Sequence, residues 1–185
     1  MRLAAARSSP GFTLVEVLVV VLIIGVMVTF ATLSVGDRAT ADKLDTEAQR
    51  LEQLFRLAQE EAELKGYELG FRYTDELYQF LLIDREGRWV PVAEGPLRTR
   101  AIPQPLQLAL RVEGRAVPPA QDPLPGGAEE ETTDAFQPQV LILSSGELTA
   151  FALDLSAPGY DVGYRVAGTL IGRISLERVQ RDGLG

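Results

Sequence analysis

The most constraining feature of this chain is a long apolar stretch near its N-terminus. Between residues 12 and 35 the only charged residue is Glu16, and residues 17–36 are 20 residues of mainly Val, Leu and Ile. As a helix this stretch would be about 30 Å long, which matches the hydrocarbon thickness of a bilayer. We therefore predict a transmembrane helix over residues 12–36.

The eleven residues before the span form a short basic leader that carries Arg2 and Arg7 and no acidic residue. Positive charge before the span predicts a cytoplasmic N-terminus and a remainder of the chain on the other side of the membrane. A secretory signal peptide is the alternative, but it would have a shorter apolar core followed by an A-x-A-like cleavage site. Here the helical pattern continues past the span instead.

Residues 37–66 continue the helix with an amphipathic pattern. Its apolar stripe consists of Leu44, Ala48, Leu51, Phe55, Ala58 and Ala62, at spacings of three and four. The other faces are predicted to hold the charged residues Glu47, Arg50, Glu52, Arg56, Glu60, Glu61 and Glu63. Gly66 is expected to end the helix, because glycine readily adopts the left-handed conformation that follows a helix C-terminus.

Residues 67–185 are predicted to form a strand-rich head. Strands are expected at 67–73, 77–84, 88–92, 106–112, 140–143, 148–155, 160–166 and 169–179. The turn-forming segments 84–87 and 144–146 suggest one hairpin each. The predicted fold class is α+β: a long N-terminal helix packed on one side of an antiparallel sandwich of two small sheets.

Residues 117–138 interrupt the strands with five prolines and an acidic run, so we expect a mobile loop. Its acids are hard oxygen ligands of the kind that calcium takes: Asp122, Glu129, Glu130, Glu131 and Asp134. They lack the D-x-D-x-D-G spacing of a calcium loop, and we expect the loop to be metal-free.

Composition excludes several classes of function. The chain has no Cys and no His, which rules out a Ser-His-Asp triad and Cys-based zinc sites. We predict no catalytic residue, no cofactor and no metal. The formal net charge of −8 becomes −10 without Arg2 and Arg7, so nucleic acid is not an expected partner.

The segment that joins the leader to the span reads Gly11-Phe12-Thr13-Leu14-Val15-Glu16. It closely resembles the prepilin processing signal of type IV pilins and of type II secretion pseudopilins. The resemblance implies that a prepilin peptidase cuts between Gly11 and Phe12 and methylates the new amino group of Phe12. It also implies that the Glu16 carboxylate pairs with the N-terminal amine of a neighbouring subunit during assembly, a role that suits a costly charge at the start of an apolar span.

The head resembles the H-type minor pseudopilins, because the chain lacks the C-terminal cysteines of many pilus subunits and residues 163–166 and 172–176 look like that group's closing strands. The resemblance implies a non-enzymatic subunit of the inner membrane with a periplasmic head, located in the pseudopilus after assembly. Its expected partners are the prepilin peptidase, other major and minor pseudopilins, the inner-membrane secretion platform, and membrane lipid before assembly.

Two alternatives stay open at the level of sequence. The first is a minor type IV pilin for adhesion or DNA uptake, in which the C-terminal arginines Arg165, Arg173, Arg178 and Arg181 would bind DNA. The second is a membrane-anchored enzyme with a carboxylate site, although no pair of acids stands out from the solvated background. Trp89, on a short strand, is expected to have a core or rim role.

Overall fold

The computed structural model describes residues 13–121 and 136–180, and the side chains of residues 28–37 are not among those described. The chain divides into two compact units, Met1–Ala39 and Thr40–Gly185. One helix, α1, runs from Leu14 to Lys65. The acidic residues predicted as calcium ligands, Asp122, Glu129, Glu130, Glu131 and Asp134, lie outside the described residues.

The C-terminal end of α1 is where the sequence places it. Gly66 follows the last helical residue with φ of 68°, a left-handed conformation that costs glycine little. Its N–H donates to the Ala62 carbonyl at 2.9 Å, which closes the last turn of the helix. The predicted stop at Gly66 is therefore confirmed.

The second unit contains ten strands among the described residues. In chain order they are β1 Leu69–Tyr73, β2 Leu77–Ile83, β3 Trp89–Pro91, β4 Arg100–Ala101, β5 Gln107–Val112, β6 Arg115–Val117, β7 Val140–Ile142, β8 Phe151–Ser156, β9 Val162–Gly168 and β10 Ile174–Gln180. They form two five-stranded antiparallel sheets. The first has the order β3-β2-β1-β7 with β4 also on β2, and the second has the order β10-β9-β8-β5-β6. The predicted α+β class is confirmed.

The part of α1 within the second unit packs against both sheets through its apolar stripe. The ring centroid of Phe55 lies 4.7 Å from that of Phe71 and 5.5 Å from that of Phe80 in the first sheet, and 4.4 Å from that of Phe151 in the second. Every residue of the predicted stripe, from Leu44 to Ala62, is buried. Aromatic contacts of this kind add to the stabilisation from buried area, so the helix supplies the centre of the head's core.

The predicted hairpin between residues 140–143 and 148–155 is wrong in its partners. The turn itself exists, because the Gly146 N–H donates to the Leu143 carbonyl at 3.0 Å. However, β7 pairs with β1 in the first sheet, whereas β8 pairs with β5 and β9 in the second. The hairpin is limited to residues 141–149: the Leu143 N–H donates to the Glu147 carbonyl and the Thr149 N–H to the Leu141 carbonyl, both at 2.9 Å, with a bridge between Ile142 and Leu148.

The ends of the predicted loop 117–138 are held against β1. Val117 belongs to β6, so the loop begins later than predicted. The Ala120 N–H donates to the Tyr73 carbonyl at 2.8 Å, and the buried Arg72 guanidinium donates to the Gln121 carbonyl at 2.7 Å. Residues 122–135 of the loop that is predicted to be mobile lie outside the described residues.

Candidate functional site

The N-terminus of α1 is capped by the residues of the proposed processing signal. The Glu16 N–H donates to the Thr13 hydroxyl oxygen at 3.3 Å and to the Thr13 carbonyl at 3.1 Å. Thr13 and Glu16 have the S/T-x-x-E spacing of a capping box, in which the first side chain satisfies an otherwise unpaired helical N–H. Glu16 is also an acid in the first turn, where the helix dipole favours negative charge.

The side chains around and beyond Glu16 are exposed and apolar in the single chain. Exposed fractions range from 82% at Leu14 to 43% at Val20, and Met27 is 67% exposed. Apolar residues occur on all sides of this part of α1 rather than along one stripe. A helix that is apolar all round is typical of one that is covered by lipid or by other helices.

Two of the predicted site residues, Gly11 and Phe12, lie outside the described residues, and cleavage and methylation there stay predictions. Within the part of the chain whose side chains are described, no helix meets the length and hydropathy needed to cross a membrane. The predicted span 12–36 extends over residues 28–36, whose side chains lie outside that part.

The head contains a buried polar network that the sequence prediction missed. Glu47, expected on a polar face, is only 2% exposed; its carboxylate accepts the Tyr78 hydroxyl at 2.5 Å and pairs with Arg50. Burial, with the hydrogen bond to Glu47 as the second cause, raises the pKa of Tyr78. A signal was present, because Glu47 stands three residues after Leu44 and four before Leu51, within the apolar stripe.

The C-terminal arginines do not form an open basic surface at Arg165. Its Nε lies 2.6 Å from Oδ1 of Asp154 and its Nη2 lies 3.1 Å from Oδ2, a bidentate pair across β8 and β9. Glu177 stands opposite Arg165 on β10, so the guanidinium has acids on both neighbouring strands. Arg181 lies outside the described residues.

Trp89 lies in β3, in contact range of β1. A side chain built on Gly70 would come within 3.3 Å of the Trp89 ring and within 2.4 Å of Pro138. The indole is partly buried, and it covers the glycine on the outer face of the first sheet together with Pro138. The structure thus gives Trp89 the packing role at the rim that the sequence predicts.

Comparisons with known proteins converge on one family. Residues 47–172 match the family described as Type II transport protein GspH, and residues 7–32 match the prokaryotic N-terminal methylation motif. The chain is 40% identical over 154 residues to type II secretion system protein H of Pseudomonas aeruginosa, covering 83% of this chain and 86% of that protein. It is 33% identical over 158 residues to the protein of the same name from Aeromonas hydrophila, covering 83% and 84%.

A solved structure agrees with these matches. The minor pseudopilin EpsH from the type 2 secretion system of Vibrio cholerae superposes with a TM-score of 0.58 at 26% identity, covering 72% of this chain and 94% of that one. The family match covers more than half of the chain, including most of the head and residues 47–65 of α1. The chain therefore belongs to the Type II transport protein GspH family.

Proposed function

We propose that the chain is a minor subunit of the type II secretion pseudopilus, which assembles through its N-terminal helix and supports export of folded proteins across the outer membrane. The observation that carries the proposal is the combination of two matches on one chain. The GspH match covers the head over residues 47–172, and the methylation motif covers the start of α1 over residues 7–32. Relatives that are 40% and 33% identical to this chain are named type II secretion system protein H.

Processing is the first step of the proposed function. A prepilin peptidase cuts between Gly11 and Phe12 at the cytoplasmic face and methylates the Phe12 amine. Cleavage places a new cationic amine four residues before Glu16. Because Thr13 already caps the helix, the mature chain keeps a satisfied helix start after the leader is removed.

Assembly is the second step, and Glu16 sets the position of each helix relative to its neighbours in the filament. In the filament the exposed apolar side chains of α1 become covered by neighbouring helices, and the Glu16 carboxylate loses water. A desolvated carboxylate is stabilised only by a cation with good geometry. The Phe12 amine of a neighbouring subunit supplies that cation, so a subunit in the wrong register leaves Glu16 unpaired.

The proposed location follows from the same segment. Before assembly the apolar helix lies in the inner membrane with the N-terminus in the cytoplasm and the head in the periplasm, as the leader charges predict. The partners are the peptidase, the inner-membrane secretion platform and the other major and minor pseudopilins. The chain performs no chemical reaction in this proposal.

Deletion of the gene in its native strain tests the function. We expect the deletion to abolish or strongly reduce secretion of folded exoproteins, and the wild-type chain supplied in trans to restore it. Pilus-dependent motility and DNA uptake should be unchanged in the same strain. Normal secretion together with lost motility or lost DNA uptake would contradict the proposal and favour a minor type IV pilin.

A further inference from the structure

One edge of the second sheet is long and open. Strand β10 is the outermost strand and pairs on its inner side with β9 along seven residues, from Ile174 opposite Gly168 to Gln180 opposite Val162. In an antiparallel ladder the N–H and C=O of a given residue point the same way, and successive residues alternate. Every second residue of β10 therefore directs both of its backbone groups away from the sheet.

Two hydrogen bonds identify which residues point outward. The Arg173 carbonyl accepts the Thr169 N–H at 3.0 Å, so residue 173 faces the β9 side of the hairpin. The Ile174 carbonyl accepts from Nη2 of Arg56 at 2.7 Å, so residue 174 faces away from it. By alternation, the backbone groups of Leu176, Arg178 and Gln180 also point outward.

Within the described part of the chain, Ile174 is the one outward-facing residue of β10 whose backbone accepts a hydrogen bond on this edge. Arg56, on α1, covers the Ile174 carbonyl. The outward N–H and C=O groups of Leu176, Arg178 and Gln180 have no hydrogen-bond partner among residues 13–121 and 136–180. A row of unpaired groups of this kind is a template for an added strand.

The other edge strands are shorter or blocked. β7 has three residues, and its outer edge is closed by Thr149, whose N–H donates to the Leu141 carbonyl at 2.9 Å and whose hydroxyl accepts the Leu141 N–H at 3.1 Å. β3 has three residues and contains Pro91, which lacks an N–H. β6 also has three residues. β10 therefore offers the longest edge for strand addition among the described strands.

The charges on β10 disfavour pairing with a second copy of itself. Two copies of β10 that pair antiparallel are related by a twofold axis. Residues that lie opposite each other must both direct their backbone groups toward the other strand or both away from it. The axis therefore passes through one residue of β10, on which the pair is centred. Centring on Glu177 places two glutamates opposite each other, and centring on Arg178 places two arginines opposite each other, which is destabilising. Centring on Ser175 or Leu176 needs the Ile174 carbonyl, which Arg56 already occupies. Centring on Val179 brings together only residues 178–180 of the described strand.

We propose that the open edge of β10 binds an extended segment of a different pseudopilin subunit, which adds as a sixth strand to the second sheet. Backbone hydrogen bonds to Leu176, Arg178 and Gln180 hold the segment. A basic side chain opposite Glu177 and an acidic one opposite Arg178 select it against a second copy of this chain. The choice of a pseudopilin as the partner rests on the proposed function.

The test measures separately what the backbone N–H and the side chain of Arg178 contribute to partner binding. Arg178→Pro removes the outward N–H without removing a hydrogen bond to β9, since proline is tolerated where the N–H of an edge strand faces solvent. Arg178→Ala removes the side chain and keeps the N–H, and serves as the matched control. Each full-length variant is co-expressed with each other pseudopilin of the same secretion system, solubilised in detergent, and assayed for the amount of partner that it retains.

We expect Arg178→Pro to retain about five- to tenfold less of one partner, the effect of losing one interfacial hydrogen bond and leaving its acceptor unpaired. Arg178→Ala should change retention by about twofold or less, as is usual for an exposed charge at the rim of an interface. Equal losses in both variants would show side-chain docking and overturn the proposal. Unchanged retention with every pseudopilin, or a loss of self-association alone, would overturn it as well.

A second measurement covers the case in which Arg178→Pro fails to fold. Amide hydrogen exchange of the wild-type chain is compared with and without the partner that it retains. The outward amides of Leu176 and Arg178 should exchange at least about tenfold more slowly in the complex, whereas the inward amide of Glu177 is already protected by β9. Equal exchange at Leu176 and Arg178 in both samples would overturn strand addition. The proposed function is judged separately, by secretion in the deletion strain.

Discussion

At the residue scale, Glu16 is in contact with water in the single chain and loses that water in the proposed filament. Within one chain it lies in the first turn of α1, where the helix dipole and the Thr13 cap accommodate it at an exposed position. In the proposed filament the same carboxylate is desolvated and needs a cation from another subunit. Changes at this residue should therefore affect assembly more than the fold of a single subunit.

We predict that Glu16→Gln is cleaved and inserted normally but is incorporated poorly into filaments, with reduced secretion. The amide keeps the size of the side chain and loses its charge, and a desolvated pair that loses one partner typically costs about 3–5 kcal/mol. Mass spectrometry of the mature N-terminus checks processing, and quantitation of sheared filaments checks incorporation. Glu16→Asp, which keeps the charge, should retain part of the activity. Wild-type incorporation and full secretion by Glu16→Gln would refute the role of the charge.

A second prediction at this scale concerns the buried hydroxyl of Tyr78. Tyr78→Phe removes a donor to Glu47 at a site where Tyr78 is 1% exposed, so we expect a loss of about 1–3 kcal/mol in the free energy of unfolding. Tyr67→Phe is the matched control, because Tyr67 also donates to a helical glutamate, Glu61 at 2.7 Å, but is only half-buried. Its expected loss is about 0.5 kcal/mol or less. Equal losses in thermal unfolding would contradict the importance of the buried network.

The same pair predicts a dependence on alkaline pH. Burial raises the pKa of Tyr78 above its unfolded value of 10.0, so the folded state binds this proton more tightly than the unfolded state. The resulting stabilisation is complete below about pH 10 and is lost as pH rises through the folded pKa. The stability difference between wild type and Tyr78→Phe should therefore shrink above about pH 10, as measured by urea unfolding. A difference that grows with pH would contradict the sign of the shift.

At the element scale, local signals predicted the boundaries of elements better than their partners. The end of α1 at Gly66 and the turn at residues 144–146 depend on glycine conformation within a few residues, and both are confirmed. The division of β7 and β8 between two sheets depends on pairing β7 with β1, about 70 residues earlier in the chain. The burial of Glu47 likewise depends on Tyr78, 31 residues away, so the pattern on the helix alone could not identify its partner.

Helix α1 meets the turns that contain Gly146 and Gly172, and this contact makes Gly172 sensitive to substitution. A Cβ atom on Gly172 would approach the Gly146 carbonyl oxygen to 2.2 Å and Nε2 of Gln59 to 2.3 Å. In the native chain Nε2 of Gln59 donates to that carbonyl at 3.0 Å. Gly172→Ala should therefore break that bond as well as strain a residue with φ of 77°.

Gly87→Ala is the matched control, because its φ is 80° and the space beside it is open. We expect Gly172→Ala to lower the free energy of unfolding by about 1–2 kcal/mol more than Gly87→Ala does, since only the first also loses a hydrogen bond. Urea unfolding of both variants measures the difference. Equal destabilisation would mean that the helix and the two turns can move apart to accept the methyl group without a loss in the free energy of unfolding.

At the scale of the whole molecule, the candidate site and the head were predictable to different degrees. Gly11, Phe12 and Glu16 were assigned from six consecutive residues, and the cleavage, methylation and amine pairing assigned to them stay predictions. The open edge of β10 could not be predicted, since it depends on which strand is outermost in a sheet assembled from residues 107–180. The family of the head was predictable from the absence of C-terminal cysteines and from the closing strands at residues 163–166 and 172–176.

We predict that the foldable head begins at Thr40. The compact second unit starts at Thr40 and includes the buried stripe of α1, from Leu44 to Ala62. Phe55 alone contacts three aromatic rings from the two sheets. Loss of one such core side chain typically costs about 3–5 kcal/mol, whereas a domain of this size is stable by only about 5–15 kcal/mol in total. The sheets without the helix should therefore not fold.

Two fragments test this boundary. Residues 40–185 should be soluble, with mixed helix and strand signals in circular dichroism and one cooperative thermal transition. Residues 67–185 keep every described strand and lose only the helix; they should aggregate or remain without a cooperative transition, because the apolar faces of both sheets that pack on Phe55 are then exposed to water. Cooperative folding of the shorter fragment would show that the two sheets form a core by themselves. Aggregation of the longer one would show that the head needs residues before Thr40.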